Sequence, residues 1–499
     1  MHDGASFNFA LTSSLPTSDS PRERKLSSHP TCPICARTVQ TPRANHSYST
    51  MISDLSSSLK FPDTGFDIVD ASEPIEEETL PNYSSANYYA AHIGQVLLDR
   101  YQIVGKLGYG VTSTVWQGRD LLCVSPSATL NLLIQLTGLE RLASSKRNDE
   151  IAIYKQLESV ASKIDHVGQT LYRKLYDSFE ITAPRGTTHT CLVQEPLGLS
   201  LSQILDLRRS GLLTADLLKP LLRQLLIGLD FLHVAGVHTG METETLSLPF
   251  SSGFDERRGL IRGWEDLQSK NLLLQIDNIG VFKNFEETEL EEPAPRKVLE
   301  DHTIYMSRRV PGTETLPSIT DFGEARLVSK TRKEESIMPD VYRAPEAILW
   351  MEWNDKVDIW NVAVLVIISP DDCMCGTSFL NAICLMGGTR KVQLMSRFVL
   401  QKLLPPWAGP PPKEFLNRSD ACRISWDENG AWRNFAPIPD VTLESLAVGI
   451  EGDDKEGFLN FLRKILRWLP EERPTAGELV YDEWVLKGLG KGKGKSKGA

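Results

Sequence analysis

The stretch "SITDFGEARLV", Ser318 to Val328, decides how this chain is read. Ser318-Ile319-Thr320 has the composition of a strand end, and Asp321-Phe322-Gly323 follows at once. A carboxylate followed by Phe-Gly suits a Mg²⁺ ligand carried on a mobile loop. The tripeptide alone is common by chance, so the reading depends on what surrounds it.

Upstream lies "VHTGMETETLSLPFSSGFDERRGLIRGWEDLQSKNLLL", Val237 to Leu274, which begins and ends like one short motif. Asp266 and Asn271 stand five positions apart, in a D-x-x-x-x-N spacing. Twenty-six residues, Gly240 to Glu265, separate His238-Thr239 from Asp266. Further upstream, "IGQVLLDRYQIVGKLGYGVTSTVWQGRD" alternates apolar and polar residues around a Gly-rich turn, the pattern of a β-hairpin. Gly108 and Gly110 would let the backbone approach phosphate oxygens, although Ser113 stands where a third glycine would complete the motif. Taken alone, that turn fits an ordinary hairpin as well as a nucleotide loop. Glu150 to Glu158 looks helical, and the leucine spacing of Leu217 to Leu232 predicts a buried helix. Downstream come Ala344-Pro345-Glu346, Asp358, and Arg473 in "RWLPEERPTAGEL". Four such elements in this order set chance aside.

The bulk properties narrow the classes. The chain has 499 residues, 41% of them hydrophobic, and a net charge of −11. That length fits one large domain with tails, or two domains. The acidic balance argues against general nucleic-acid affinity and permits an acidic groove for basic peptides. Eight scattered cysteines imply no disulfide framework, and a reducing compartment fits. Cys32 and Cys35 form a CxxC, but only His29 and His46 stand nearby as further zinc ligands, so a plain tail is the simpler reading. The longest apolar runs, such as Val362 to Ile368, are too short to span a bilayer, and the start lacks a signal core.

Together these segments resemble a eukaryotic protein kinase, and within that fold the SR-protein kinase group, particularly its fungal members. The closer match is carried by "EEETLPNYSSANYY", "CLVQEPLGLSLSQIL", "MPDVYRAPEAIL", "GPPPKEFLNRSD" and "FLRKILRWLPEERPTAGEL". The His-Thr opening of the catalytic loop is also typical of that group. The resemblance covers roughly Phe61 to Leu489, with three gaps. It implies an α+β, bilobal kinase fold with a small β-rich N-lobe and a larger helical C-lobe. The organisation expected is a disordered Ser/Thr/Pro-rich segment at 1–60, an acidic extension at 61–100, a kinase domain at 101–487 and a Gly/Lys tail at 488–499. The N-lobe would be 101–195 and the C-lobe 198–487.

The resemblance also implies roles. Asp266 would orient the substrate hydroxyl, and Asn271 and Asp321 would hold Mg²⁺. Leu107, Gly108, Gly110 and Val115 would enclose ATP, with the backbones of Glu195 and Leu197 bonding adenine. Glu150 matches the helix glutamate that pairs with a strand lysine. Glu346 and Arg473 would form a structural ion pair, and Asp358 would brace the catalytic loop. The implied activity is phosphorylation of Ser in Arg/Ser-rich proteins, linked to splicing, by a monomer working in cytoplasm and nucleus. No membrane and no direct nucleic-acid contact is expected.

Three departures interrupt the match, with suspect insertions at 121–145, 240–265 and 367–405. Their edges are sharp, as retained introns or misplaced exon boundaries would leave them. The strand-like Thr129 to Leu136 contains no lysine, and Asn131 or Gln135 could fill the space without charge. Gln268 stands where most kinases carry a lysine. Thr239 replaces the usual arginine before the catalytic Asp, so no cation is available there to dock a phosphorylated loop. A pseudokinase scaffold, or a variant lacking catalysis that binds Arg-rich partners, is the alternative expectation.

Overall fold

The computed structural model describes residues 57–80, 83–125, 128–138, 143–184, 186–207, 213–239, 269–278, 280–310, 315–323, 325–327, 343–367, 410–431, 433, 443–447 and 450–488. Asp266, Gln268, the CxxC, the 240–265 insertion, residues 368–405 of the third suspect insertion and nearly all of the Gly/Lys tail therefore lie outside the described residues. The chain divides into two compact units, and the protein is mixed α+β.

The first unit comprises Met1–Ser144, Lys174–Gly198 and Gln275–Thr315. Its centre is an antiparallel six-stranded sheet of order β1-β2-β3-β4-β6-β5. The strands are β1 (Val96–Leu97), β2 (Tyr101–Tyr109), β3 (Ser113–Ser125), β4 (Ala128–Thr137), β5 (Leu175–Thr182) and β6 (Thr188–Gln194). Alternation in β2 to β4 puts Ile103, Trp116, Leu132, Ile134 and Leu136 into one apolar cluster, completed by Tyr101 and Val193. Burying each large side chain contributes about 1.5–3 kcal/mol. Gly118 is required by this packing, because a Cβ there would stand 2.3 Å from Ile134 Cδ1. Part of the suspect segment 121–145 is thus an integral strand, β4, paired on both sides.

The acidic extension and residues 275–315 also belong to this unit. The latter fold as α4 (Gly280–Glu291) and the ribbon β9 (Arg296–Val298) with β10 (Thr303–Tyr305). The sequence reading placed residues 275–315 in the C-lobe at 198–487, whereas here they group with the sheet. Glu76, Glu77 and Glu78 are consumed internally: Glu76 and Glu77 hold the buried Lys106, and Glu78 holds Lys297 at 2.8 Å. The Arg296 guanidinium lies between the rings of Phe66 and Tyr305, 3.8 and 4.7 Å from their centroids. An acid run that reads as surface charge is therefore a clasp between two segments distant in sequence.

The second unit comprises Ser145–Arg173, Leu199–Leu274 and Leu316–Ala499. By this division α1 (Ala143–Ala161), which carries Glu150, falls from Ser145 onward in the second unit, not with the sheet at 101–195. Its main helix is α3 (Ala215–Val234), whose Leu222, Leu225, Leu226, Leu229 and Leu232 are buried at helical spacing. It stops where Gly236 takes a φ of +71°, the left-handed turn that glycine permits at a helix end. Two short ribbons follow the core helix. In one, β7 (Val237–His238) pairs with β12 (Arg326–Leu327); in the other, β8 (Leu272–Leu274) pairs with β11 (Pro317–Ile319). The helices α2 (Leu201–Leu207), α5 (Pro345–Ile348), α6 (Lys356–Ile367) and Asp453–Ile465 also belong to this unit. Among the described residues no helix is long and apolar enough to cross a membrane.

Candidate functional site

In the first unit the Gly-rich turn closes the β2–β3 hairpin. Gly110 N–H donates to Ser113 O at 2.8 Å. The Tyr88 hydroxyl, from the acidic extension, lies 3.0 and 2.8 Å from the carbonyls of Gly110 and Val111. The tip of the turn is thereby tied to the extension. Leu107, Gly108, Gly110 and Val115 are all half-buried in this hairpin. Glu195, just beyond β6, donates its N–H to Lys174 O at 2.9 Å, and Leu197 is buried.

The register of β3 with β4 shows where the two uncharged candidates, Gln135 and Asn131, stand. Val115 lies opposite Gln135, so both face the same side of the sheet. Trp116 lies opposite Ile134 and faces the apolar cluster. Gln135 Nε2 donates to Ser113 Oγ at 3.2 Å. Asn131 lies opposite Arg119, farther along the strand. Lys106 lies opposite Trp116, on the apolar side, and its ammonium is held by Glu77.

In the second unit the β8–β11 ribbon places Asn271 and Asp321 at adjacent strand ends. Thr320 donates both its N–H and its hydroxyl to Asn271 O, at 3.0 and 2.9 Å. Asp321 follows with a φ of +65°, a left-handed conformation that Asp tolerates better than most residues. Gly323 N–H donates to Asp321 Oδ1 at 3.3 Å. Phe322 is buried, its ring edge-on to Tyr154 at 5.3 Å. A carboxylate and an amide oxygen are hard oxygen donors, the kind of ligand that Mg²⁺ takes. Glu150 is buried on α1, one helical turn before Tyr154.

Asp358 holds Thr239 at the end of β7. Its carboxylate accepts from Thr239 N–H at 3.0 Å, Thr239 Oγ1 at 2.6 Å and His233 Nε2 at 2.9 Å. Burial alone would raise the Asp358 carboxyl, but bonds and charge from His233, the charge of His238 and the Thr239 hydroxyl keep it below the usual carboxylate range. His238 is pushed down chiefly by burial, with Asp358 pulling the other way. Glu346 and Arg473 form a fully buried two-pronged ion pair at 2.6 and 2.7 Å. Arg473 also donates to the carbonyls of Arg467 and Lys356.

Sequence reasoning missed Lys106, Tyr88 and Arg173. Arg173 is buried, with its backbone N–H bonded to Ile319 O of β11, and its sequence signal is a charge inside the mixed run "LYRKLYDSF".

Comparison with known proteins gives concordant findings. Residues 312–485 match the family described as the protein kinase domain. A serine/threonine protein kinase of Aspergillus fumigatus is 35% identical over 429 residues, covering 85% of this chain and 94% of the relative. Serine/threonine-protein kinase SRPK of Physarum polycephalum is 26% identical over 416 residues, covering 80% of this chain and 89% of its own. Human SRSF protein kinase 3 is 29% identical over 188 residues, 37% of this chain and 32% of the relative.

Proposed function

Because the chain belongs to the serine/threonine protein kinase family, and within it to the SR-protein kinase group, we propose that it transfers the ATP γ-phosphate to Ser of Arg/Ser-rich proteins. The observation that carries this reading is the β8–β11 ribbon, which bonds Asn271 to Thr320, the residue just before Asp321. The Asn271 and Asp321 side chains would hold Mg²⁺, which when bound neutralises charge on the transferring phosphoryl group. Asp266 would accept the proton of the substrate hydroxyl. Gly108, Gly110, Leu107 and Val115 would cover the nucleotide, and the Glu195 and Leu197 backbones would bond its base. Asp358 positions the loop start through Thr239.

The Arg/Ser preference draws on the names of the relatives and on the net charge of −11, which favours encounter with basic substrates. A role in splicing control, in cytoplasm and nucleus, belongs to the same proposal. Peptides of Arg-Ser, Lys-Ser and Glu-Ser repeats, offered separately with Mg-ATP, test it. The reading requires the Arg-Ser peptide to be phosphorylated fastest; equal rates on all three would remove the substrate assignment.

One observation favours a second reading, a scaffold that binds nucleotide without transferring phosphate. Gln135 supplies no charge at the strand position opposite Val115. A thermal shift with Mg-ATP but no transfer to any peptide would select that reading.

A further inference from the structure

Kinases of this family place a cation on the strand opposite the Gly-loop strand, where it meets the phosphates and a helix glutamate. Here that register position is Gln135, already bonded to Ser113. The described cations of the same strands are engaged elsewhere: Lys106 with Glu76 and Glu77, and Arg119 with Glu286 at 3.4 Å. Glu150 is nevertheless 7% exposed, and a carboxylate that buried needs a positive or hydrogen-bonding neighbour.

Within the second unit, the Glu150 and Asp321 carboxylates share one space, and the backbone of Arg173 runs beside the strand that leads to Asp321. A Cβ added at Gly323 would lie 3.3 Å from Asp321 Oδ1 and 3.9 Å from Glu150 Oε2, so both carboxylates border one small space. Arg173, 8% exposed, runs alongside: its N–H donates to Ile319 O at 2.9 Å, two residues before Asp321. Its neighbour Tyr172 bridges to Ile319 and stands 6.2 Å from the Phe322 ring. The Tyr154 hydroxyl reports the same enclosure. It is pushed well above its usual range by burial, then by Glu150, while Arg173 pulls it down and Asp321 pushes it up.

We propose that Arg173 takes over the charge-neutralising half of the missing strand cation, pairing with Glu150 beside Asp321 and holding the metal-binding loop in place. Arginine stays charged at any physiological pH, so the pairing is permanent. Arg173 is a positioning residue, acting through Glu150 and Asp321. The pairing itself does not depend on catalysis; only its consequence for transfer rests on the proposed kinase activity.

A double-mutant cycle on the full chain without nucleotide tests the pairing. Thermal unfolding is measured for the wild type, Arg173→Lys, Arg173→Met, Glu150→Gln and the Arg173→Met/Glu150→Gln double variant. Arg173→Met should lower the midpoint by roughly 6 °C or more, because it strands a buried carboxylate. Adding Glu150→Gln should recover at least half of that loss, and Arg173→Lys should stay close to the wild type. Additive losses, no loss in Arg173→Met, or equal damage from Lys and Met would overturn the proposal. If Arg173→Met does not fold, a folded double variant supports the pairing and an unfolded one overturns it. Phosphate transfer is read in parallel, with Gln135→Lys expected to raise the wild-type rate. Coupling without transfer in any variant would overturn the kinase reading and leave the pairing standing.

Discussion

Arg473 makes two bonds to Glu346 and further bonds to the carbonyls of Arg467 and Lys356. Arg473→Met would leave the Glu346 carboxylate buried without its cation, at a cost of roughly 3–5 kcal/mol. Denaturant titration reads that loss directly. His238 makes stability depend on pH. Its folded pKa is lowered by burial, below the unfolded value of about 6.5. The neutral ring therefore contributes fully above about pH 6.5, and the contribution is lost as pH falls through the lowered folded value. The thermal midpoint should drop on going below that pH, and His238→Gln should flatten the drop. Thr239 spends both its N–H and its hydroxyl on Asp358 and offers no cation to a phosphorylated loop. A Ser329→Ala/Thr331→Ala/Ser336→Ala variant should therefore keep its transfer rate, measured on the unmodified protein; loss of activity would contradict that role for Thr239.

At the scale of elements, the Gly-rich hairpin shows what one tyrosine can do for a flexible turn. Tyr88 holds two carbonyls at its tip. Tyr88→Phe removes that tie and little else, so KM for ATP should rise roughly 3- to 5-fold, the worth of one hydrogen bond. The thermal midpoint should barely move, and steady-state kinetics together with unfolding separate the two effects. The elements legible in the sequence are those with a local signal. The hairpin of β2 and β3, the leucine periodicity of α3 and the Asp321-Phe322-Gly323 turn each need only neighbours in the chain. The clasp of Glu76, Glu77 and Glu78 on Lys106 and Lys297 has no local signal, because its partners are separated by up to 219 residues. For the same reason α4 and the β9–β10 ribbon escaped notice: nothing in 275–315 says that it packs with the sheet unit. Gln135 was visible as a missing lysine, but only the Val115 pairing singles it out from Asn131. Arg173 could not be found by pattern, since its significance comes from standing next to Ile319 and the enclosure around Glu150.

For the whole molecule, family membership and chemistry are separate matters. The family follows from a relative that matches 85% of the chain at 35% identity. The proposed chemistry rests on Asn271 and Asp321 as metal ligands and on a redistribution of charge from the strand to Arg173. Losing the strand lysine removes one source of electrostatic stabilisation, and a rate below that of an intact kinase is the expected consequence. The most direct measurement is transfer of radiolabelled γ-phosphate from Mg-ATP to an Arg-Ser repeat peptide by the full chain, compared with Asp321→Asn. The account predicts phosphoserine formation by the wild type and a loss of at least about 100-fold in the variant. No transfer by the wild type, or equal transfer by both proteins, would contradict it.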